Sequence, residues 1–249
     1  MAEKRHLAKA PIAEALVDLR AAPTIDLASA EVLTRLKTQV GLRFPKVQQQ
    51  RAFEAQVEFR PGQGPVSGGT DKGLRGYFCE SADGRDIAQF KVDGFTYNRL
   101  QPYTDGDTVI AAALGLWAVY VEIAKPLTVG RVALRYINRL KLPRSPDELG
   151  EYMTHPPVPP SGSLSSLDGF WTRYVTSDPQ SGRGVIAAQV LEPGMPPDSL
   201  SLIIDIDAFW VGDFAVEPDD LKERLMTLRQ LKNDVFFGSI TEKTAEMYA

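Results

Sequence analysis

Cysteine occurs once in this chain, at Cys79, and histidine twice, at His6 and His155. One thiol cannot form an internal disulfide, and a cysteine-based zinc site has too few ligands. Any metal site would have to rely on carboxylates. The same scarcity leaves no Cys-His relay or Ser-His-Asp arrangement, and no Gly-x-Ser-x-Gly segment is present to expose a nucleophile. A long apolar run is also missing. The longest stretch, Val109 to Val121, stops at Glu122 and reads as a buried core helix too short for a bilayer. Residues 1–9 carry Glu3, Lys4, Arg5 and Lys9 with no apolar core between them, so no secretory signal is expected. These absences predict a cytoplasmic protein in a reducing compartment, without membrane contact, metal or cofactor.

An excess of positive charge is lacking too. The 28 Lys and Arg are outnumbered by 32 Asp and Glu, for a net charge of −4. An acidic chain gains little from counterion release on nucleic acid unless its basic residues gather on one face. The 43% hydrophobic and 24% charged content is ordinary for a globular protein. With 249 residues the chain can bury a sizeable core as one large domain or two small ones.

The pattern along the chain suggests two halves, residues 1–126 and 127–249. Val92-Asp93-Gly94-Phe95 is echoed by Ile206-Asp207-Ala208-Phe209, and each copy leads through an acidic turn towards an amphipathic helix. Pro11 to Arg20 reads as a strand. Asp26 is placed to cap a helix through Val40. Phe53, Ala55, Val57 and Phe59 alternate with polar residues, the mark of a half-buried strand. Pro61 to Gly73 is glycine-rich and predicts a hairpin loop. Ile87 to Leu100 holds one or two strands, and a helix from about Asp107 to Ala124 closes the first half. The second half reads as a long strand over Val129 to Leu142, a short helix at Asp147 to Tyr152, a Pro/Ser/Gly loop over His155 to Gly169, three strands, and a helix from Asp219 to Leu231. The tail from Asn233 is expected to pack back as a further short helix. Short connections imply antiparallel pairing, hence an α+β fold: a duplicated β-α-β(3-4)-α unit forming a long twisted sheet with helices on one face. This arrangement resembles the saddle of TATA-box-binding proteins, in which the first strands of the two halves meet at the centre. A helix-grip fold is the alternative.

Three segments carry a resemblance. Ala10-Pro11-Ile12-Ala13-Glu14-Ala15, Arg135-Tyr136-Ile137-Asn138-Arg139-Leu140 and Asn233-Asp234-Val235-Phe236-Phe237 resemble signature stretches of a sporadically distributed prokaryotic family of unknown function. The resemblance implies a soluble protein of about this length and brings no activity with it. It draws attention to Glu14, Arg135, Asn138 and Arg139.

The strand through residues 131–141 is the first candidate site. Arg131, Arg135, Arg139 and Lys141 fall on one face, and Val132, Leu134, Tyr136 and Leu140 on the other. The basic stripe suits an anion, since guanidinium forks match phosphate and carboxylate. It equally suits a structural charge seam if Glu14 and Asp18 lie beside it, with Glu14 paired to Arg135. Asn138 sits on the apolar side, either satisfied by backbone or facing a pocket mouth. The carboxylates Glu14, Asp18, Asp205, Asp207, Glu54 and Glu58 could hold Mg²⁺ or share acid–base roles, or simply face solvent. The glycines from Gly62 to Gly73 with Lys72 depart from a P-loop, because Lys72 is followed by Gly73 and a strand. Phe95, Tyr97, Tyr103, Trp171, Tyr174, Phe209 and Trp210 could stack on single-stranded nucleic acid, although most are expected in the core. Phe209 and Trp210 are adjacent, so on a regular strand one ring must face outward, which makes the pair an interface candidate.

The expected role is non-catalytic recognition of a macromolecule, first of all a protein, or a homodimer. One alternative is an enzyme or small-ligand binder with an anion site at Arg135 and Arg139 beside Glu14. The other is nucleic-acid binding on the saddle, which the net charge disfavours.

Overall fold

A computed structural model of the chain describes residues 1–58, 66–143, 149–163, 167–193 and 199–249. Its strands are β1 (Ile12–Arg20), β2 (Lys46–Glu58), β3 (Val66–Glu80), β4 (Asp86–Lys91), β5 (Gly94–Leu100), β6 (Val129–Pro143), β7 (Phe170–Asp178), β8 (Arg183–Pro193) and β9 (Ser199–Phe214). Its helices are α1 (Ala30–Val40), α2 (Gly106–Ala124), α3 (Leu149–Tyr152), α4 (Pro218–Ser239) and α5 (Glu242–Glu246). The fold is α+β, with one antiparallel sheet of nine strands in the order β2-β3-β4-β5-β1-β6-β9-β8-β7. The central neighbours β1 and β6 are flanked by one meander on each side.

Side-chain alternation decides the two faces. In β6 the apolar residues Val132, Leu134, Tyr136, Leu140 and Leu142 are all buried, while Arg135, Arg139 and Lys141 are exposed. In β1, Ala15, Val17 and Leu19 are buried and Glu14, Leu16 and Asp18 lie on the other side. The buried face carries the helices. α2 packs on β1 and β5, α4 packs on β6 and β9, and the two helices touch each other.

α2 starts where Asp105 caps it, its Oδ1 accepting from the Thr108 amide at 2.7 Å. It ends at Lys125, whose φ of 47° is left-handed. Counted from Gly106 it has 19 residues and is long and apolar enough to cross a membrane by length and composition. The shorter apolar run read from the sequence understated it. In this fold it lies on the sheet with Trp117 and Tyr120 fully buried. Trp117 stacks on Tyr120 with centroids 5.2 Å apart and donates from Nε1 to the Val216 carbonyl at 2.8 Å. Phe95, on β5, packs on both rings. The β4–β5 turn brings Gly94, at φ 142°, against β1, where a Cβ would stand 2.1 Å from the Leu19 carbonyl oxygen. Only glycine fits there.

Several local expectations need correction. The cap of α1 is Ser29, not Asp26, which instead accepts from the Ala28 amide. The glycine-rich stretch is only partly a matter of loops. Residues 59–65 lie outside the described residues, but from Val66 onwards the chain is β3, paired with β2. Two register shifts in that pairing fall near Gly73 and Gly76, both at positive φ, so these glycines relieve irregularities in a ladder. α4 does not stop at Leu231 but runs to Ser239, taking in Asn233 and the two phenylalanines after it. Of the proposed helix at Asp147 to Tyr152, residues 144–148 lie outside the described residues and Leu149–Tyr152 is helical. The echoed tetrapeptides occupy unlike places. Val92 and Asp93 turn between β4 and β5, with Phe95 buried under the helices, whereas Ile206 to Phe209 lies inside β9.

Candidate functional site: a charged sheet face and a cationic cavity

The helix-free face carries the basic stripe, and carboxylates from both neighbouring strands occupy it. Arg131 donates to Asp18 on β1 at 3.2 Å and to Asp207 on β9 at 2.7 Å. Arg135 grips Asp205 through two hydrogen bonds of 2.8 and 2.5 Å. Arg139 donates to Glu192 at 2.7 Å and to the Ser201 hydroxyl at 3.2 Å. Asp18 also accepts from Arg20, Lys91 and Thr96. Burial raises its pKa, but these cations and the hydroxyl together hold it below the usual carboxylate value. Burial dominates at Asp207 instead and lifts its pKa, and its Oδ1 has no hydrogen-bond partner.

Glu14 does not pair with Arg135. The register sets Arg135 across from Leu16 and Glu14 across from Ile137, and Glu14 accepts from Asn98 at 2.5 Å. Alternation therefore places Arg131, Arg135 and Arg139 on one face, and β9, rather than β1 alone, supplies most of their partners. Among the described residues no group of three His, Cys, Asp or Glu is arranged to hold a metal.

Phe209 and Trp210 do point to opposite faces. Phe209 lies on the open face with the Arg131 guanidinium 5.0 Å from its ring centroid. Trp210 donates from Nε1 to the Ser181 carbonyl at 2.7 Å, with Arg224 of α4 4.8 Å from its ring. Both rings are half-buried. More exposed apolar residues lie on the same open face towards the β7 edge: Trp171 is 68% exposed, Val175 56% and Val211 52%.

The other face contains a cavity of about 900 Å³ at the end of the sheet where α2 begins. Its walls come from four distant parts of the chain. They are the N-terminal segment 4–11 with Ile12, the connection 101–105 with Gly106, Asn138 on β6, and Arg229, Lys232, Asn233, Phe236 and Phe237 on α4. The N-terminal segment is strapped across α4 and α5. The Ala2 amide donates to the Phe237 and Ile240 carbonyls, Lys4 pairs with Asp234, and Arg5 pairs with Glu242.

Asn138 is 3% exposed. It stands beside a β-bulge, because the β1–β6 register shifts between Ile12 and Glu14. Its amide nitrogen donates to the Ile204 carbonyl at 2.9 Å. Its Oδ1 takes no hydrogen bond from any described residue. Tyr103 lines the cavity and meets the buried Tyr136, their hydroxyls 3.4 Å apart. Burial raises the pKa of both, so both remain protonated at neutral pH.

Lys232 is the unusual residue. It is 7% exposed, and among the described residues it makes no ion pair and no hydrogen bond. Its ammonium sits 4.0 Å from the centroid of the Tyr136 ring. Burial, and secondarily the like charge of Arg229, pull its pKa from 10.5 to about 7. Arg229 itself is held by Asp107 at 2.9 Å. An unpaired lysine at a core position costs stability, and it is kept here where it opens on a cavity.

No protein-family model, curated protein or solved structure matches this chain.

Of the candidate site residues singled out from the sequence, Asn138 and Tyr103 line the cavity. Glu14, Asp18, Arg131, Arg135 and Arg139 gather on the opposite face. Lys232 and Arg229 escaped notice, and Tyr103 was read only as a stacking ring. The signal for Lys232 was nonetheless present: Leu221, Leu225, Leu228, Lys232 and Phe236 follow one another at three- and four-residue spacing. A lysine in phase with a buried stripe is a charge where apolar packing is expected.

Proposed function

We propose that this chain binds a small anionic molecule in the cavity between α4 and its N-terminal segment. The observation that carries this reading is Lys232, a buried ammonium without a counterion that faces a space large enough for a metabolite. Arg229 adds positive charge, and the free Oδ1 of Asn138 offers an acceptor for a ligand hydroxyl or amide. A bound carboxylate or phosphate would supply the counter-charge that the fold does not. The three segments behind the family resemblance favour the same place, since Ala10, Pro11 and Ile12, then Asn138, then Asn233, Phe236 and Phe237 all belong to its wall. The earlier candidate, an anion site at Arg135 and Arg139, has the weaker case because carboxylates already hold both guanidinium groups.

Isothermal titration of the full chain with glutarate and with inorganic phosphate at pH 6, where Lys232 is charged, tests the reading. Binding at one site per chain that weakens at least tenfold in Lys232→Met is expected. Absence of binding by both anions, or equal binding by the variant, refutes it.

A second reading, a protein partner or a second copy on the open face, is favoured by the exposed Trp171, Val175 and Val211 near the β7 edge. Large exposed rings of this kind serve as interface anchors. Nucleic acid suits that face poorly, since its arginines are neutralised by Asp18, Asp205 and Asp207. The idea of an ancestral duplication, with a saddle like that of TATA-box-binding proteins, rests now on the symmetric strand order about β1 and β6 and no longer on the tetrapeptide echo.

A further inference from the structure

We propose that the anion held in this cavity carries a ketone or aldehyde, and that Lys232 captures it as an imine. This rests on the anion-binding reading and narrows it to one class of ligand, a small oxo-acid. The geometry makes the case. An amine adds to a carbonyl only when its lone pair is free of a proton. Most protein lysines are held protonated by water or a carboxylate. Lys232 has no carboxylate among the described residues; it is 7% exposed, makes no ion pair and lies against the face of Tyr136. Its neighbours add no negative charge at close range. Arg229 is one turn away on α4, and Tyr136 on β6 and Tyr103 before α2 stay neutral. Arg5 and His6 face the cavity from the N-terminal segment, and Asp105 is engaged as the cap of α2. Arg229 gives one N–H to Asp107 and lines the cavity one turn from the amine, so its remaining N–H groups are the donors on hand for the carboxylate of an oxo-acid, leaving its carbonyl to the lysine.

The chemistry balances with these groups alone. The Nζ lone pair forms a bond to the carbonyl carbon while the C=O π pair moves to oxygen, which takes a proton. The nitrogen of this adduct gives up one proton to leave a neutral carbinolamine, the hydroxyl takes a second proton and leaves as water while the nitrogen lone pair forms the C=N bond, and the resulting iminium gives up its remaining N–H proton. One imine and one water result, with no change of oxidation state. The Tyr103 hydroxyl, protonated at the cavity wall and 3.4 Å from the Tyr136 hydroxyl, can lend and recover the proton.

The test treats the full chain with 2-oxoglutarate and sodium cyanoborohydride over pH 6 to 9, using glutarate as the carbonyl-free control. Intact mass and peptide mapping read the product. One reduced adduct per chain on Lys232 is expected, forming about tenfold or more faster than on exposed lysines away from the cavity such as Lys125 and Lys222. Lys232→Arg should lose the adduct while still binding glutarate. The wild-type peptide map decides the matter even if that variant fails to fold. Adducts spread evenly over surface lysines, or none on Lys232, overturn the imine. If glutarate binds in that case, the anion reading stands alone; if glutarate does not bind either, both readings fall.

Discussion

Replacing Lys232 with methionine should make this protein more stable, and the gain should depend on pH in a way that only a buried amine explains. Methionine keeps an unbranched chain and fills the same volume without charge. Below pH 7 the amine is protonated in both the folded and unfolded chain, and the fold bears the whole cost of desolvating it. The fall from 10.5 to about 7 corresponds to about 5 kcal/mol at roughly 1.4 kcal/mol per pH unit. Loss of the contact with Tyr136 offsets about 1–2 kcal/mol of that. Lys232→Met should therefore gain about 2–4 kcal/mol at pH 6. Between pH 7 and 10.5 the unfolded chain holds more protons at this site than the folded one, so wild-type stability rises with pH through that window. The variant lacks that rise, and its advantage shrinks at up to about 1.4 kcal/mol per pH unit. Urea unfolding at pH 6, 7, 8 and 9, followed by tryptophan fluorescence with the buried Trp117 as reporter, measures the difference directly. Parallel pH curves for wild type and variant, with equal m-values, would refute the argument, because they would mean that the amine is solvated in the folded state.

Two further predictions concern the sheet face. A double-mutant cycle of Arg135→Gln with Asp205→Asn should show coupling of about 0.5–1 kcal/mol, modest because the pair is bidentate but partly exposed. The corresponding cycle with Glu14→Gln should be additive within about 0.5 kcal/mol, and stronger coupling there than at Asp205 would contradict the register. Asp18→Asn should cost about 2–3 kcal/mol at pH 7, because the carboxylate takes charge-assisted bonds from Arg20, Lys91 and Arg131. Since the folded pKa of Asp18 is lowered, its contribution is present above pH 4 and fades as acid protonates it. The gap between wild type and variant should accordingly narrow below pH 4 in acid-dependent unfolding, and a gap that widens there would argue against the pairing.

How far the sequence could be read depended on the range of each interaction. The alternation from Arg131 to Lys141 announced a strand with one apolar and one basic face, because strand side chains repeat every two residues whatever lies beside them. Asn138 on the apolar side was visible for the same reason. The partners of Arg135 were not. A pairing with Glu14 presumed a register that brought them together, and the hydrogen-bond ladder sets Leu16 across from Arg135 instead, with Asp205 arriving from a strand 70 residues away. The glycines from Gly68 to Gly73 looked like a loop because glycine weakens strands locally, and the pairing of β3 with β2 outweighed that preference. Lys232 was hidden because the expected helix ended at Leu231, just before it, whereas α4 runs on to Ser239.

By itself the sequence determined the local matters: which segments alternate, that a helix begins near Asp107, and that no internal disulfide can form. These follow from backbone sterics, capping and composition, each of which acts within a few residues. Which strands became neighbours, which carboxylate met which arginine, and that residues 4–12, 101–106, 138 and 229–237 enclose one space around an unpaired lysine were decided by tertiary packing. The apolar faces of β1, β6, α2 and α4 can be buried together in many ways that local preferences rank equally, and only the assembled core selects among them.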